Sequence, residues 1–484
     1  MLSWSLASSD PLQNKADALV SYCFPDASVL DGSNEAQNLR SLKTILTSDN
    51  LKHFVDQYKN FHTHWPMLHL PTFDLVNANN GLLLVIVCIG AVYSERVSVH
   101  QVRWLMDVAK GSVQRSSQIY NIVAQARSLS GQSDPNSPSD IEEVAALCLL
   151  HALFSWHGTP VQRQESRNEF WILVRIARHL SLTSVIAKDQ PGSSVLHRSG
   201  SLTREDMEGW SWNTWIEQEK RVRVFYLIFL LDVALGLFFN CAPNFEVSEI
   251  KLPLPTDDAA WEARTQDECI AALGLRGEAA QTKNNTGSRR AKQIGFSEVL
   301  QYLQKGLEYQ PRSTNAYGKF IIIHAIHNQM LQNQRYFHAQ KFNNMNGNGS
   351  GANGHNNQKN HYQQRLLGFN NTLENWKKAW DMDQQLQYPP AQRRAGYCRD
   401  AIHYYFLGKM LIRMGKLEDL QLAPDERCRQ IFACLKQIKN LVATEQEKKG
   451  LDIGAVTNVN DNYGMEELTL DMKLLFTPVN DFAD

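Results

Sequence analysis

Residues 212–239 read WNTWIEQEKRVRVFYLIFLLDVALGLFF, and their reading decides the fold. Trp212, Trp215, Ile216, Glu219, Val222, Phe225, Tyr226, Phe229 and Val233 recur at intervals of three and four, the period of one helix face. The spacing predicts a long buried helix over 213–240, with Glu219, Lys220, Arg221 and Arg223 as its polar entrance. Asp232 is a charge inside the apolar part. A buried carboxylate needs a partner, and an arginine on a neighbouring helix is the expected one. A catalytic aspartate would need a companion acid, base or nucleophile, and no spacing places one.

Outward from this stretch the same grammar recurs, with hardly a strand pattern between. Helices are expected at 47–60, 74–94, 96–110, 113–130, 139–157, 162–181, 297–309, 315–344, 360–384, 395–414 and 424–446. In SPSDIEEVAALCLLHALFSW (137–156), Ser139 or Asp140 caps, Glu142 and Glu143 sit in the first turn, and Val144, Leu147, Leu150, His151 and Phe154 make the stripe. His151 reads there as a satisfied core histidine, because partner ligands are missing. In QRQESRNEFWILVRIARHLSL (162–182), Arg163, Arg167, Arg175 and Arg178 form a basic stripe, read as a solvated face. The fold class is therefore all-α: one large multi-helical domain with a looser helical C-terminal region.

A second stretch, YKNFHTHWPMLHLPTF (58–73), joins two of these helices. Leu51, Phe54, Val55 and Tyr58 carry the first. It stops before Trp65-Pro66, since proline lacks an amide donor and holds the preceding residue extended. Thr72 and Asp74 can cap the next helix, which enters LLLVIVCIGAVY at 82–93. His62, His64 and His69 could supply metal ligands. No cysteine lies close and no second cluster completes a four-ligand set, so the histidines are expected to bond nearby backbone carbonyls.

Both stretches resemble one family. Phe61, His62, Pro66, His69, Pro71 and Phe73 stand in a pattern similar to the opening signature of the fungal-specific transcription factor domain. Trp212, Trp215, Glu219, Arg223, Phe225, Tyr226 and Asp232 resemble its central motif, and Pro243 with LPLPTDDAAWEA (252–263), Pro253 included, resembles the downstream part. The end of the 162–182 helix is similar to the family's "A-x-x-hydrophobic-Gly-Leu-His" helix, with Ser181 in place of the usual Gly and Thr183 in place of the His. The resemblance covers 45–265 well and the later helices loosely. It is closest to the branch that follows two C2H2 zinc fingers.

It implies the regulatory domain of a fungal RNA polymerase II transcription factor acting in the nucleus. In that family a zinc module reads DNA. The regulatory domain responds to small-molecule effectors, co-regulator proteins or a homo- or heterodimer partner. The zinc module is missing here, so zinc and DNA binding are expected of no residue in 1–484. Either the fingers lay upstream of Met1, or the chain regulates without its own DNA reader.

Composition narrows the alternatives. With 43% hydrophobic and 20% charged residues the chain is ordinary for a globular protein rather than a disordered one. A formal net charge of -1 exerts no overall pull toward nucleic acid, so any DNA affinity must come from a local patch or from sequence absent here. No two of the eight cysteines are separated by only two residues, which excludes a zinc ribbon or thioredoxin motif and fits a reducing compartment. The apolar runs 82–93 and 226–239 are expected to be too short for a membrane span. No phosphate-binding, serine-hydrolase, metalloprotease or kinase motif occurs. The alternative is a helical enzyme or small-molecule-binding protein without a recognisable motif, and DDAAWE (257–262), behind Pro255, is only a poor approach to an acidic metal cluster.

The expected organisation is a leader over 1–44 with at most one short helix, then the regulatory domain over 45–342. An Asn/Gly-rich flexible loop over 343–361, a C-terminal helical region over 362–446 and an acidic-hydrophobic tail over 447–484 follow. The loop holds a G-x-G-x-x-G at Gly349, Gly351 and Gly354, but no strand precedes it, so no dinucleotide site is expected. From 461 onward six carboxylates face one lysine, a composition shared by activation segments and ordinary tails.

Overall fold

A computed structural model describes residues 10–25, 34–125, 138–276, 290–307, 312–346, 352–387 and 401–448. These residues carry seventeen α-helices and no strand, with two isolated β-bridges, Ser184 to Lys251 and Pro253 to Gly295. The fold is all-α. The chain divides between Ile176 and Ala177 into two compact units.

The first unit comprises α1 (Pro11–Cys23), α2 (Asn34–Ile45), α3 (Ser48–His62), α4 (Asn80–Val92), α5 (Val99–Ser116), α6 (Gln118–Gln125), α7 (Pro138–His157) and α8 (Pro160–His179) as far as Ile176. Its axis is α4, NGLLLVIVCIGAV, which is apolar on every side and buried from Gly81 to Val92. Such a helix needs neighbours all round, and α1, α3, α5 and α7 supply them. Asn79 caps it, its Oδ1 accepting from the Leu82 amide at 3.1 Å. Thr72 and Asp74 do not cap it. Asp74 instead closes its own turn, accepting from the Val76 amide at 2.9 Å.

The first 44 residues hold more than the one short helix expected. Both α1 and α2 form, and α1 belongs to the core. Asp10 accepts from the Leu12 amide at 3.0 Å, and Pro11 occupies the first turn. Ala16, Leu19, Val20 and Cys23 are buried. Lys15 Nζ reaches across to donate to the Ala78 carbonyl at 2.6 Å.

The second unit continues with α9 (Arg204–Glu208), α10 (Trp212–Phe239), α11 (Asp258–Trp261), α12 (Gln266–Leu273), α13 (Phe296–Lys305), α14 (Ala316–Asn346), α15 (Ala352–Gln387), α16 (Ala401–Met414) and α17 (Pro424–Lys448). Here α10 is the axis, packed on α14 and α17. Contrary to the sequence expectation, it is long and apolar enough to cross a membrane, yet its most apolar window lies wholly inside the fold. Asn240 ends it in the left-handed region at φ 56, and its side chain donates to the Asp419 carbonyl at 2.9 Å.

Most of the expected Asn/Gly loop is helix. α14 runs to Asn346 and α15 starts at Ala352, so 343–346 and 352–361 are helical and only 347–351 lie outside the described residues. Gly354 sits within α15, while Gly349 and Gly351 fall outside. Asn and Gly are poor helix formers, but local preference yields to packing. The Phe337 ring meets His361 at 5.6 Å and Tyr362 at 4.9 Å, closing α14 and α15 into an antiparallel hairpin. The tail from 449 onward also lies outside the described residues.

Ser181, standing where the family motif has glycine, adopts φ 50 just beyond α8, and the Leu182 amide reaches back to the Ala177 carbonyl at 2.8 Å. A side chain in this left-handed region is strained, and Ser181 is exposed, so nothing compensates through burial. Ser181→Gly is expected to raise unfolding stability by about 0.5–1 kcal/mol, the gain being trimmed by the freer unfolded chain. Paired urea titrations of variant and wild type measure it.

Candidate functional site

Three of the four residues expected to form a polar entrance to α10 are buried, while Lys220 is partly exposed and pairs with Glu217 at 2.8 Å. Glu219 and Arg223 are both fully buried, and Arg221 is 6% exposed. One turn of helix separates Glu219 from Arg223, so the guanidinium folds back and Nε donates to Glu219 Oε1 at 2.7 Å. The same oxygen accepts from the Thr256 amide at 2.9 Å. His197, on a short turn at Val195–His197, donates from Nε2 to Glu219 Oε2 at 2.9 Å, since a carboxylate only accepts. Its Nδ1 pairs with Ser194 Oγ at 2.8 Å.

Arg223 does further work in the same place. Its Nη2 donates to the Thr256 carbonyl at 3.0 Å, and its guanidinium lies 4.4 Å from the Trp261 ring centroid. Asn315 Nδ2 donates to the Thr256 carbonyl from the other side at 2.8 Å, while its Oδ1 accepts from the Gly318 amide at 2.6 Å and caps α14. Tyr226 O–H donates to the Pro253 carbonyl at 3.1 Å. Burial works to raise the Glu219 pKa, but Arg223 and then His197 outweigh it and hold the carboxyl below its ordinary value. The cluster is a clamp that fastens the extended segment 253–256, and Asp257 beyond it caps α11 through the Ala259 amide at 3.1 Å. DDAAWE is thus a helix start packed on an arginine.

Asp232 lacks the arginine partner expected of it. Its oxygens accept from the Asn244 amide at 2.8 Å, Asn244 Nδ2 at 2.7 Å and the Phe245 amide at 3.0 Å. Arg178 is engaged elsewhere, with Glu249 at 2.9 Å and the Asn244 carbonyl at 2.7 Å, and helps only through space. Burial pushes Asp232 up to about 6 despite its three donors. A carboxyl raised in the folded state favours folding at acid pH and loses that advantage as pH rises through its folded pKa. An amide at 232 cannot titrate and can keep the backbone bonds. Asp232→Asn is therefore expected to gain about 2 kcal/mol relative to wild type between pH 4.5 and pH 8, read from urea midpoints at both.

In the first unit, Phe61, His62, Trp65, Pro66 and His69 are buried at the corner between α3 and α4, while Pro71 is exposed and Phe73 partly so. His62 Nε2 bonds the Leu68 carbonyl at 2.9 Å, and His69 Nδ1 bonds Thr72 Oγ1 at 2.7 Å. The described residues hold no grouping of three or more His, Cys, Asp or Glu fit for a metal. Arg163 departs from the expected solvated stripe: it is 5% exposed and donates to the Gly158 carbonyl at 2.8 Å.

A small cleft opens between α5, α7 and the first half of α8, lined by Lys110, Leu150, His151, Phe154, Ser166 and Glu169. His151 Nδ1 meets Ser166 Oγ at 3.2 Å, and Lys110 pairs with Glu169 at 3.2 Å across the mouth. A Ser–His pair invites a nucleophilic reading. The geometry opposes it, because Ser166 is 3% exposed and shares its hydroxyl with Ser155 at 3.2 Å. Burial also pulls the imidazole down to about 4, leaving little basicity at neutral pH.

The fold and these interior clamps define a helical scaffold whose motif side chains hold loops together. The chain matches the family described as "Fungal specific transcription factor domain" over residues 51–378, and it belongs to that family. It is 23% identical over 284 residues to a "Nicotinate catabolism cluster-specific transcription factor" of Emericella nidulans, covering 58% of this chain and 28% of that protein. It is 24% identical over 401 residues to "Transcription factor verF" of Penicillium polonicum, covering 76% and 47%. Its identity to "Zinc finger protein klf1" of Schizosaccharomyces pombe is 22% over 224 residues, covering 45% and 25%. The chain thus spans between a quarter and a half of the length of these relatives. No solved structure matches it.

The sequence motifs contained Glu219 and Arg223 but missed His197, Ser194 and Asn315. Asn315 carried a local signal, because S-T-N stands directly before the periodic run of α14. His197 carried none, since only the fold brings it to Glu219 from 22 residues away.

Proposed function

We propose that this chain is the regulatory part of a fungal transcription factor that acts in the nucleus, is not an enzyme, and controls transcription without reading base sequence. Zinc and sequence-specific DNA recognition belong, in this reading, to a zinc module outside residues 1–484. A small-molecule effector, a co-regulator protein or a second subunit supplies the signal. The observation that carries the reading is the family match over 51–378, together with relatives named as transcription factors and zinc finger proteins. The buried state of Glu219, Arg223 and Asp232 supports it, because side chains that an enzyme might use are occupied in holding the fold.

The test fuses residues 1–484 to an unrelated DNA-binding module and measures a reporter carrying that module's site. The reading expects output to differ several-fold from the module alone. Equal output from a fusion shown to occupy the promoter would overturn it.

A further inference from the structure

The surface loop over 187–209, in the second unit, carries five hydroxyl side chains, and three of them are used by the fold. Ser193 Oγ donates to the Ile186 carbonyl at 3.1 Å, Ser194 Oγ pairs with His197, and Thr203 Oγ1 caps α9 by accepting from the Asp206 amide at 3.1 Å. Ser199 and Ser201 are exposed, and their hydroxyls bond nothing among the described residues. Both lie in a run of seven consecutive exposed residues, 199–205. Gly200 between them sits at φ 101 with open space around it, so the chain turns outward there.

An arginine three residues before a serine is a charge pattern that basic-directed protein kinases read. It occurs here before Ser130, Ser166, Ser181 and Ser201, and the structure separates these matches. Ser130 lies outside the described residues. Ser166 is 3% exposed and bonded to His151 and Ser155. Ser181 is fixed in its left-handed turn, and Arg178 before it is paired with Glu249. Arg198, before Ser201, has no carboxylate partner among the described residues. Its Nη2 donates to the neutral Ser193 Oγ at 3.0 Å, a bond that a kinase carboxylate outcompetes.

A cation also waits on the other side of Ser201. Lys292 Nζ donates to the Ser201 carbonyl at 3.3 Å and pairs with Asp206 at 2.7 Å. A phosphate on the side chain of the same residue comes within reach of that ammonium. It brings a charge of about -2 and three acceptor oxygens against the single carboxylate of Asp206.

We propose that Ser201 is a phosphorylation site and that Lys292 receives the phosphate. The donor is a nucleoside triphosphate held by a protein kinase acting in trans. Ser201 Oγ bonds the γ-phosphorus, and the bond from that phosphorus to the β–γ bridging oxygen breaks. Nucleoside diphosphate leaves, and the hydroxyl proton passes to the kinase's base. The modified loop gains a tie to the segment around Lys292, beside the turn that carries His197 to Glu219. Modification at Ser201 does not depend on the transcriptional reading, since exposure, a free hydroxyl and placed charge carry it.

The purified chain is incubated with magnesium, labelled ATP and a basic-directed serine kinase, and phosphorylated peptides are mapped by mass spectrometry. Phosphate is expected on Ser201 of the folded wild type and absent there in Ser201→Ala. Phosphorus NMR then follows the second ionisation of the phosphoserine, ordinarily at about pH 6. Lys292→Gln should raise its midpoint by about half a unit, roughly threefold in the ionisation constant. Asp206→Asn, which frees the ammonium, should lower it. No phosphate on Ser201 overturns the site, and an unchanged midpoint in whichever of the two variants folds overturns the receiver. The mapping uses neither variant, so it decides the site whatever they do to stability.

Discussion

Arg223→Ala is expected to destabilise the second unit by about 3–5 kcal/mol, the cost of stranding a buried charge after its partner is removed. Glu219 would stay fully buried with His197 and one amide as its remaining partners. The Thr256 carbonyl would lose one of its two side-chain donors, and the Trp261 ring would lose the cation stacked on it. Arg223→Lys should recover little. An ammonium is a point donor and cannot meet a carboxylate, a carbonyl and a ring in three directions, as the planar guanidinium does. Urea unfolding followed by tryptophan fluorescence suits this site, because Trp215 and Trp261 are buried beside it.

The second large effect is expected in the first unit, from Gly90→Ala. A Cβ at this position would stand 1.8 Å from the Phe54 carbonyl oxygen and 2.6 Å from its carbonyl carbon. Both are backbone atoms of α3, so no side chain can rotate away, and the two helices must separate along their contact. The loss should be about 3 kcal/mol, at the upper end for overpacking, despite alanine's better helix propensity. Gly111→Ala in α5 is the control. A Cβ there meets nothing within 4 Å, so propensity acts alone and a gain of about 0.5–1 kcal/mol is expected. Opposite signs for the same substitution, measured by thermal or urea unfolding, would separate packing from propensity.

What was legible in the sequence follows from how local its cause is. The ends of α3 and α10 were readable because Pro66 stops one and the apolar run delimits the other. The Ser181 slot was readable as a glycine position, and its φ of 50 gives the physical reason. The partners of Asp232 were not readable, since they are the backbone amides at 244 and 245 and the Asn244 side-chain amide, which no charge pattern announces. The clamp around Glu219 was half readable: Arg223 lies one turn away, whereas Thr256 arrives from 37 residues on. The conformation of the Asn/Gly stretch was not legible in its composition, because the Phe337, His361 and Tyr362 rings decide it from the flanks. At the N-terminus the Asp10-Pro11 start and the Ala16, Leu19, Val20, Cys23 stripe of α1 were present but outweighed by polar surroundings.

The central claim is that the polar motif of α10 builds the regulatory scaffold and does not itself receive a substrate or signal. Glu219→Gln tests it most directly, because the side chain keeps its shape while losing its charge and exchanging one acceptor oxygen for a donor amide. The variant's unfolding free energy would be measured alongside its output in the reporter fusion. The account predicts a loss of about 3 kcal/mol, with output falling only as far as the folded fraction falls. Stability unchanged within about 0.5 kcal/mol with the regulatory response abolished would contradict it, since ordinary neutral substitutions stay in that range and the carboxylate would then be acting on a partner.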